Sequence, residues 1–261
     1  MIRVGIGGWN FAPWRGVFYP KGLAHAEELS YASSRLTSIE INSTFYSLPK
    51  PTSIRSWAAQ TPDNFMFSMK ASMAAVNKKV LGEAGPAIDR FIDCGLLELG
   101  PKLGPLFWQF APAKKFDAAD VEAFFALLPK ERNGVKLRHA IEAKNPTFAV
   151  PAFYDLAQKY GLAVVGVDSE KTTVPADTTA DFVYMRLQNT QAEVPTGYAP
   201  AAIKKWAARA RAWADGEVPK DLKAISDQAP AKKTRTVFVY FISGAKERAP
   251  GAAMALIKQL A

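Results

Sequence analysis

Six short apolar runs in this chain end on a polar residue in the same alternate phase. They are Ile39-Glu40-Ile41-Asn42, Phe67-Ser68-Met69-Lys70, Phe107-Trp108-Gln109, Ile141-Glu142-Ala143-Lys144, Val165-Gly166-Val167-Asp168 and Val183-Tyr184-Met185-Arg186-Leu187-Gln188. Side chains of a strand alternate between faces, so one face here stays apolar while the other turns polar at its carboxyl end. A parallel barrel wrapped in helices makes that demand: outward residues meet helices, and the last inward residues open onto the mouth. The pattern predicts strands over 2–7, 37–42, 65–70, 105–110, 137–143, 162–168, 181–187 and 236–242. Between them, apolar residues at helical spacing (Val121, Phe124, Phe125, Leu128; Phe153, Leu156, Ala157, Tyr160; Ile203, Trp206, Ala207, Ala210; Ala253, Leu256, Ile257, Leu260) predict helices. Asp117, Pro151 and Pro250 mark helix starts. The expectation is an α/β chain forming a single (β/α)8 TIM-type barrel over residues 1–261, a length close to the roughly 250 such barrels need.

Composition narrows the function classes. Apolar residues make up 49%, which excludes a disordered chain, and no apolar run nears the roughly 18 residues of a membrane span. Met1-Ile2-Arg3-Val4-Gly5-Ile6 enters a strand directly, without the apolar region of a signal peptide, and the lone cysteine, Cys94, allows no internal disulfide. Both features fit a cytoplasmic protein, with Cys94 read as a small core residue on a helix. The formal net charge of +9, from 33 Lys and Arg against 24 Asp and Glu, favours anionic partners, whether nucleic acid or a small anionic molecule. Much of the excess (Lys204, Lys205, Arg209, Arg211, Lys220, Lys223, Lys232, Lys233, Arg235) falls on a helix and the connection after it, where a solvated surface is expected. Residues 216–234 carry no helical stripe and read as a mobile surface insertion on the face opposite the mouth.

Taken literally, the alternation puts Glu40, Asn42, Ser68, Lys70, Gln109, Glu142, Lys144, Asp168, Arg186 and Gln188 at the mouth. Three carboxylates meet three cations there, which suits a compact polar ligand or, alternatively, a plug of internal ion pairs. Glu142 and Glu40 are the candidate general acid and base, because burial raises and neighbouring cations lower a carboxyl pKa. Lys144 joins them as a candidate catalytic group, and Lys70 or Lys144 becomes a Schiff-base nucleophile if desolvated. Asn42, Lys70, Gln109, Asp168, Arg186 and Gln188 are candidate substrate contacts. The loops Gly7–Pro20 and Thr44–Pro49 are rich in aromatics; Trp9, Trp14 and Tyr46 are candidate ring contacts, with a small capping core as the alternative. Ser243 and Gly244, ahead of the last helix, are a candidate anion site. No cofactor or metal is expected: His25 and His139 are the only histidines, and no paired-ligand spacing occurs. A carboxylate-bound divalent ion on Glu40, Glu142 and Asp168 stays open, opposed by Lys70, Lys144 and Arg186.

The motifs Gly8-Trp9 with Trp14-Arg15-Gly16-Val17-Phe18-Tyr19-Pro20, and Ile39-Glu40-Ile41-Asn42-Ser43-Thr44-Phe45-Tyr46, resemble those of the YecE-like family of unknown function. Lys70, Gly104-Pro105-Leu106 through Gln109, and Val167-Asp168-Ser169 support the resemblance, which covers nearly the whole chain. It implies a β/α barrel and no established reaction. It also implies a divergent member. Where the family has Glu-x-Arg before Ser-Trp, this chain has Glu142, Lys144, Thr147 and Phe148; where it has Arg-x-His-Gly, Arg186, Gln188 and Asn189 stand. Ser243-Gly244 replaces an Asn pair. Lys for Arg loses a planar fork of donors, and Gln for His loses a titratable ring. The reading from sequence is an enzyme of hydrolase or lyase type acting on a polar or anionic small molecule at the mouth. A nucleic-acid-binding or phosphodiester-processing barrel and a non-catalytic ligand-binding protein are the alternatives.

Overall fold

A computed structural model describes residues 1–170, 174–228 and 231–261. Among the described residues, nine parallel strand segments follow the chain: β1 (Ile2–Gly7), β2 (Ser38–Ile41), β3 (Met66–Lys70), β4 (Leu103–Phe110), β5 (His139–Ala143), β6 (Ala163–Val164), β7 (Gly166–Asp168), β8 (Phe182–Leu187) and β9 (Thr236–Phe241). Each pairs with its neighbours in parallel, and β1 pairs with β9. β6 and β7 are two halves of one strand on either side of Val165: β6 pairs with β5, β7 with β8, and Val165 N–H donates to Ile141 O at 2.9 Å. The sheet thereby closes into the expected barrel, since the unpaired edges of an open sheet meet at this strand.

The alternation read from sequence holds in space in every run but that of 165–168, where the phase is reversed. Val165 and Val167 join the interior cluster, and Asp168 pairs with outward-facing Leu187 instead of turning to the mouth, the strand being interrupted at Val165. Ile39, Ile41, Phe67, Met69, Trp108, Ile141, Met185 and Val239 point outward into one core shared with the helices. Phe107, Ala140, Phe182, Tyr184, Phe238 and Tyr240 fill the barrel interior as a separate cluster. Tyr184 stacks on Phe107, with centroids 5.5 Å apart and rings 15° from parallel. Ser38 Oγ and Ser68 Oγ each lie 2.7 Å from a buried phenol oxygen, that of Tyr240 and Tyr184 respectively. β1 can come this close to β2 only because residue 5 is glycine: a Cβ there would sit 2.0 Å from Ser38 O.

Among the described residues, seven helices of eight residues or more pack around the strands: α1 (Glu28–Arg35), α2 (Pro51–Ala59), α3 (Gly85–Ile92), α4 (Ala118–Leu127), α5 (Pro151–Tyr160), α6 (Pro200–Ala214) and α7 (Ala249–Leu260). Asp117 caps α4, accepting from Asp120 N at 3.0 Å, and Pro151 occupies the first turn of α5. Cys94 is half-buried just past α3, where burial pushes its thiol up to about 11.

The eight-unit alternation has one exception. Between β7 and β8 the described residues form no helix. The irregular segment 216–234 lies against this stretch: Ala176 N donates to Lys223 O, and Asp177 accepts from Ile225 N and Ser226 N. Ser226 Oγ also reaches Asp155 on α5 at 2.8 Å. The segment thus covers the flank next to α5 that a sixth crossover helix would cover. Residues 229–230 of the expected insertion lie outside the described residues.

Arg235, assigned to the solvated surface from sequence, is buried instead. It donates to Ala180 O, Lys233 O and Ala231 O at 3.2, 3.0 and 2.6 Å, binding the two irregular segments together. Among the described residues no helix is long and apolar enough to cross a membrane.

Candidate functional site

Register places the polar strand ends at one level. Gly7 is paired with Glu40, Glu40 with Ser68, Lys70 with Phe107, Gln109 with Glu142, and Arg186 with Tyr240. Inward side chains from β2, β3, β4, β5 and β8 therefore converge on a single hydrogen-bonded network at the carboxyl end of the barrel.

Arg186 is its hub, 4% exposed, with Phe107 beneath the guanidinium at 4.6 Å. Its Nε and Nη2 donate to the two oxygens of Glu40 at 3.0 and 3.1 Å, the planar fork that only arginine supplies. Nη1 donates to Glu142 Oε2 at 2.7 Å. Burial works against the Arg186 charge, but Glu40 and Glu142 outweigh it and hold the pKa raised. Tyr184 OH donates to Glu40 Oε2 at 2.7 Å and Asn42 Nδ2 to Oε1 at 2.9 Å. Glu40 thus takes four donors on two oxygens in full burial, which fills the lone pairs a carboxylate has. Burial, then the Glu40 charge, push the Tyr184 phenol well above its usual pKa and keep it a donor.

Glu142 is less saturated. Its Oε1 takes Gln109 Nε2 at 2.6 Å, and its Oε2 takes only Arg186. Gln109 uses its other end to accept from Lys70 Nζ at 2.8 Å. Lys70 is half-buried, with its ammonium over the Phe45 ring at 4.4 Å and Phe107 at 5.8 Å. Among the described residues it makes no ion pair within 4.0 Å. Its pKa falls to about 8: burial is the main cause, the Arg186 and Lys144 charges add to it, and Glu40 and Glu142 oppose it. Lys144 is exposed on the same rim.

The other sequence candidates lie at varied distances from this network. Asp168, expected among the inward residues, lies instead in the outward phase beside Leu187, whereas Gln188 keeps the inward phase two residues past Arg186. Asp168 accepts from Tyr198 OH at 2.8 Å and Asn189 Nδ2 at 3.1 Å, while Gln188, Asn189 and Gly244 line a cleft of about 630 Å³. Ser243 gives its carbonyl to Thr190 Oγ1, and Gly244, at φ +83°, approaches the Thr190 backbone so closely that a Cβ would lie 2.5 Å from its oxygen. That pairing occupies the loop ahead of α7. Tyr46 is 82% exposed beside Phe45, at the edge of a second cleft of about 640 Å³.

Trp14 is fully buried, donates to Lys246 O at 3.0 Å and packs edge-on against Phe11, Phe18 and Tyr19. Its ring therefore belongs to the capping core, the alternative already weighed. Trp9 turns outward to Trp57 on α2, with centroids 5.4 Å apart. Tyr184, Phe107 and Phe45 were not among the sequence candidates. Tyr184 lies two residues before Arg186 in the inward phase, so the same alternation contains it.

The carboxylates do not form a metal cradle. Glu40 and Glu142 are tied to Arg186 and Asp168 to Tyr198, and among the described residues no group of three His, Cys, Asp or Glu fits a metal ion. His139 faces outward, accepting from Trp108 Nε1 at 3.0 Å and lying 2.7 Å from Pro129 O. Burial lowers its pKa to about 4, so it is a neutral wall residue.

A family model described as a protein of unknown function, DUF72, matches residues 3–261. UPF0759 protein YecE of Escherichia coli (strain K12) is 31% identical over 143 residues, 53% of this chain and 49% of that protein. UPF0759 protein YunF of Bacillus subtilis (strain 168) is 24% identical over 160 residues, 59% of this chain and 55% of the other. The matched region spans about half the length of these relatives. Among solved structures, a DUF72 family protein from Thermotoga maritima MSB8 superposes with a TM-score of 0.77 at 21% identity, covering 100% of this chain and 99% of that one. SacUVDE superposes with a TM-score of 0.59 at 11% identity over 100% and 99%. These two similarities speak to the fold. The motif resemblance and the match to residues 3–261 agree: the chain belongs to the DUF72 family.

Proposed function

We propose that the barrel mouth is an enzyme active site for a small anionic molecule, organised around Lys70 rather than around the two glutamates. One observation carries this reading: Lys70 is half-buried between two aromatic rings and its ammonium has a neutral amide, Gln109, as its hydrogen-bond acceptor. A buried lysine kept only for stability is normally given a carboxylate. Here Arg186 has taken both, leaving a cation poised for a ligand. Counting Lys70, Lys144 and Arg186 against Glu40 and Glu142, the network has one positive charge in excess, which favours an anion.

In this reading Lys70 touches the reacting group and exposed Lys144 draws in the anionic end. Glu142 is the carboxylate placed to exchange protons, through release of Gln109. Glu40, Arg186 and Tyr184 are positioning residues that hold the floor rigid. The nucleic-acid alternative rests on net charge, yet part of the basic surplus on α6 is paired, Lys205 and Arg209 both binding Asp221. A panel of phosphorylated and carboxylated metabolites, read by calorimetry, tests the proposal. It expects at least one to bind the native chain, weaken at least tenfold in Lys70→Ala, and undergo turnover that Glu142→Gln abolishes. Binding that Lys70→Ala and Lys144→Ala both leave unchanged contradicts it.

A further inference from the structure

We infer that Lys70 is a nucleophile toward carbonyl compounds, so that the substrate class is a small aldehyde or ketone bearing an anionic group. The inference rests on the mouth being the active site, and it narrows the chemistry there to the lyase type. Imine formation needs a free amine, room beside it for the carbonyl carbon, and no carboxylate that would hold the ammonium charged. The third condition is met by pairing: Glu40 and Glu142 are both engaged by Arg186, and Lys70 donates to a neutral amide. The desolvated setting that lowers its pKa to about 8 adds to this. An ordinary lysine at pH 7.5 is about 0.1% free amine, whereas a pKa near 8 raises that fraction to roughly a quarter.

Room lies next to Phe45. The ring against the Lys70 ammonium also lines the 640 Å³ cleft, together with Tyr46, Lys78, Glu83 and Arg90. A carbonyl compound that enters past Phe45 comes to Lys70, and two cations against one carboxylate in the cleft lining favour an anionic group on it. In the step itself, the Nζ lone pair attacks the carbonyl carbon and a C–N bond forms, while the C=O π pair moves onto oxygen. Water then leaves, carrying one proton from the amine and one from solvent, and the product is a protonated C=N linkage.

Borohydride trapping on the intact chain tests this, with pyruvate and dihydroxyacetone phosphate as probes and peptide mass mapping as the readout. The expected result is one reduced adduct on Lys70 at least tenfold above any other lysine, with a labelling midpoint near pH 8 and no adduct in Lys70→Arg. Labels spread over exposed lysines, or a Lys70 midpoint near 10.5, overturn the inference. Because mapping of the native chain locates the adduct, the conclusion stands even if the variant misfolds. Inorganic phosphate separates the two readings. If phosphate binds at the mouth in calorimetry but Lys70 forms no adduct, the imine chemistry falls and the anion site survives. If Lys70 neither traps a carbonyl nor responds to phosphate, both fall.

Discussion

The two sides of the barrel mouth treat buried charge in opposite ways. On one side, Glu40 and Glu142 share the Arg186 guanidinium, and Tyr184, Asn42 and Gln109 donate to the same two carboxylates. On the other, Lys70 sits between Phe45 and Phe107 with a neutral amide for company. A saturated network is rigid and costly to break; an unsaturated cation costs stability and is free to bind. On the proposed function, the first side is scaffold and the second carries the chemistry.

Removing one member of the saturated side should have the largest effect. Glu40→Ala leaves Arg186 half-paired and Tyr184 and Asn42 without an acceptor, and should lower unfolding free energy by about 3–5 kcal/mol, read from urea midpoints. A loss under 1 kcal/mol would mean the network is not the scaffold.

A satisfied buried group on the outer wall gives the next effect. His139 has a folded pKa lowered to about 4 against 6.5 unfolded, so the unfolded chain binds the extra proton between those values. Its contribution is complete above pH 6.5 and is lost as pH falls toward 4, by up to about 3 kcal/mol. Urea melts at pH 7 and pH 4.5 should show this acid loss in the native chain and a smaller one in His139→Gln.

Lys70 has the same sign in a different window. Its pKa is lowered from 10.5 to about 8, so stability rises as pH climbs through that interval. Lys70→Met should then stabilise the fold at pH 7 by about 1 kcal/mol, the figure being discounted for partial exposure, while it abolishes ligand binding. If Lys70→Met destabilises, the residue belongs to the scaffold after all. Lys144→Ala should fall smallest, within about 0.5 kcal/mol in stability, because the side chain is exposed.

The fold was legible because period-2 patterning marks each strand: all eight expected strands appear, but the sixth is interrupted at Val165 and its side chains take the opposite phase, which turned Asp168 away from the mouth. The expected phase brought Glu40, Lys70, Gln109, Glu142 and Arg186 to one level. Phase does not tell which partners a charged group will choose, so sequence could not separate a reactive Glu40 from a saturated one. Nor does it distinguish a stacking aromatic from a capping one; Trp14 went to the core because its indole N–H found Lys246 O. That the described residues form no sixth helix was hidden for a different reason. A barrel needs its flank covered, and segment 216–234, distant in sequence, does so through Asp177 and Arg235.

The division between the two sides is tested most directly by an NMR titration of Lys70, following the side-chain 13Cε resonance in lysine-labelled protein, assigned by its loss in Lys70→Arg. A midpoint near pH 8, well separated from the other lysines, is the predicted result. A midpoint at 10.5 or above would mean that Lys70 holds its proton like any paired surface lysine, and would contradict the account.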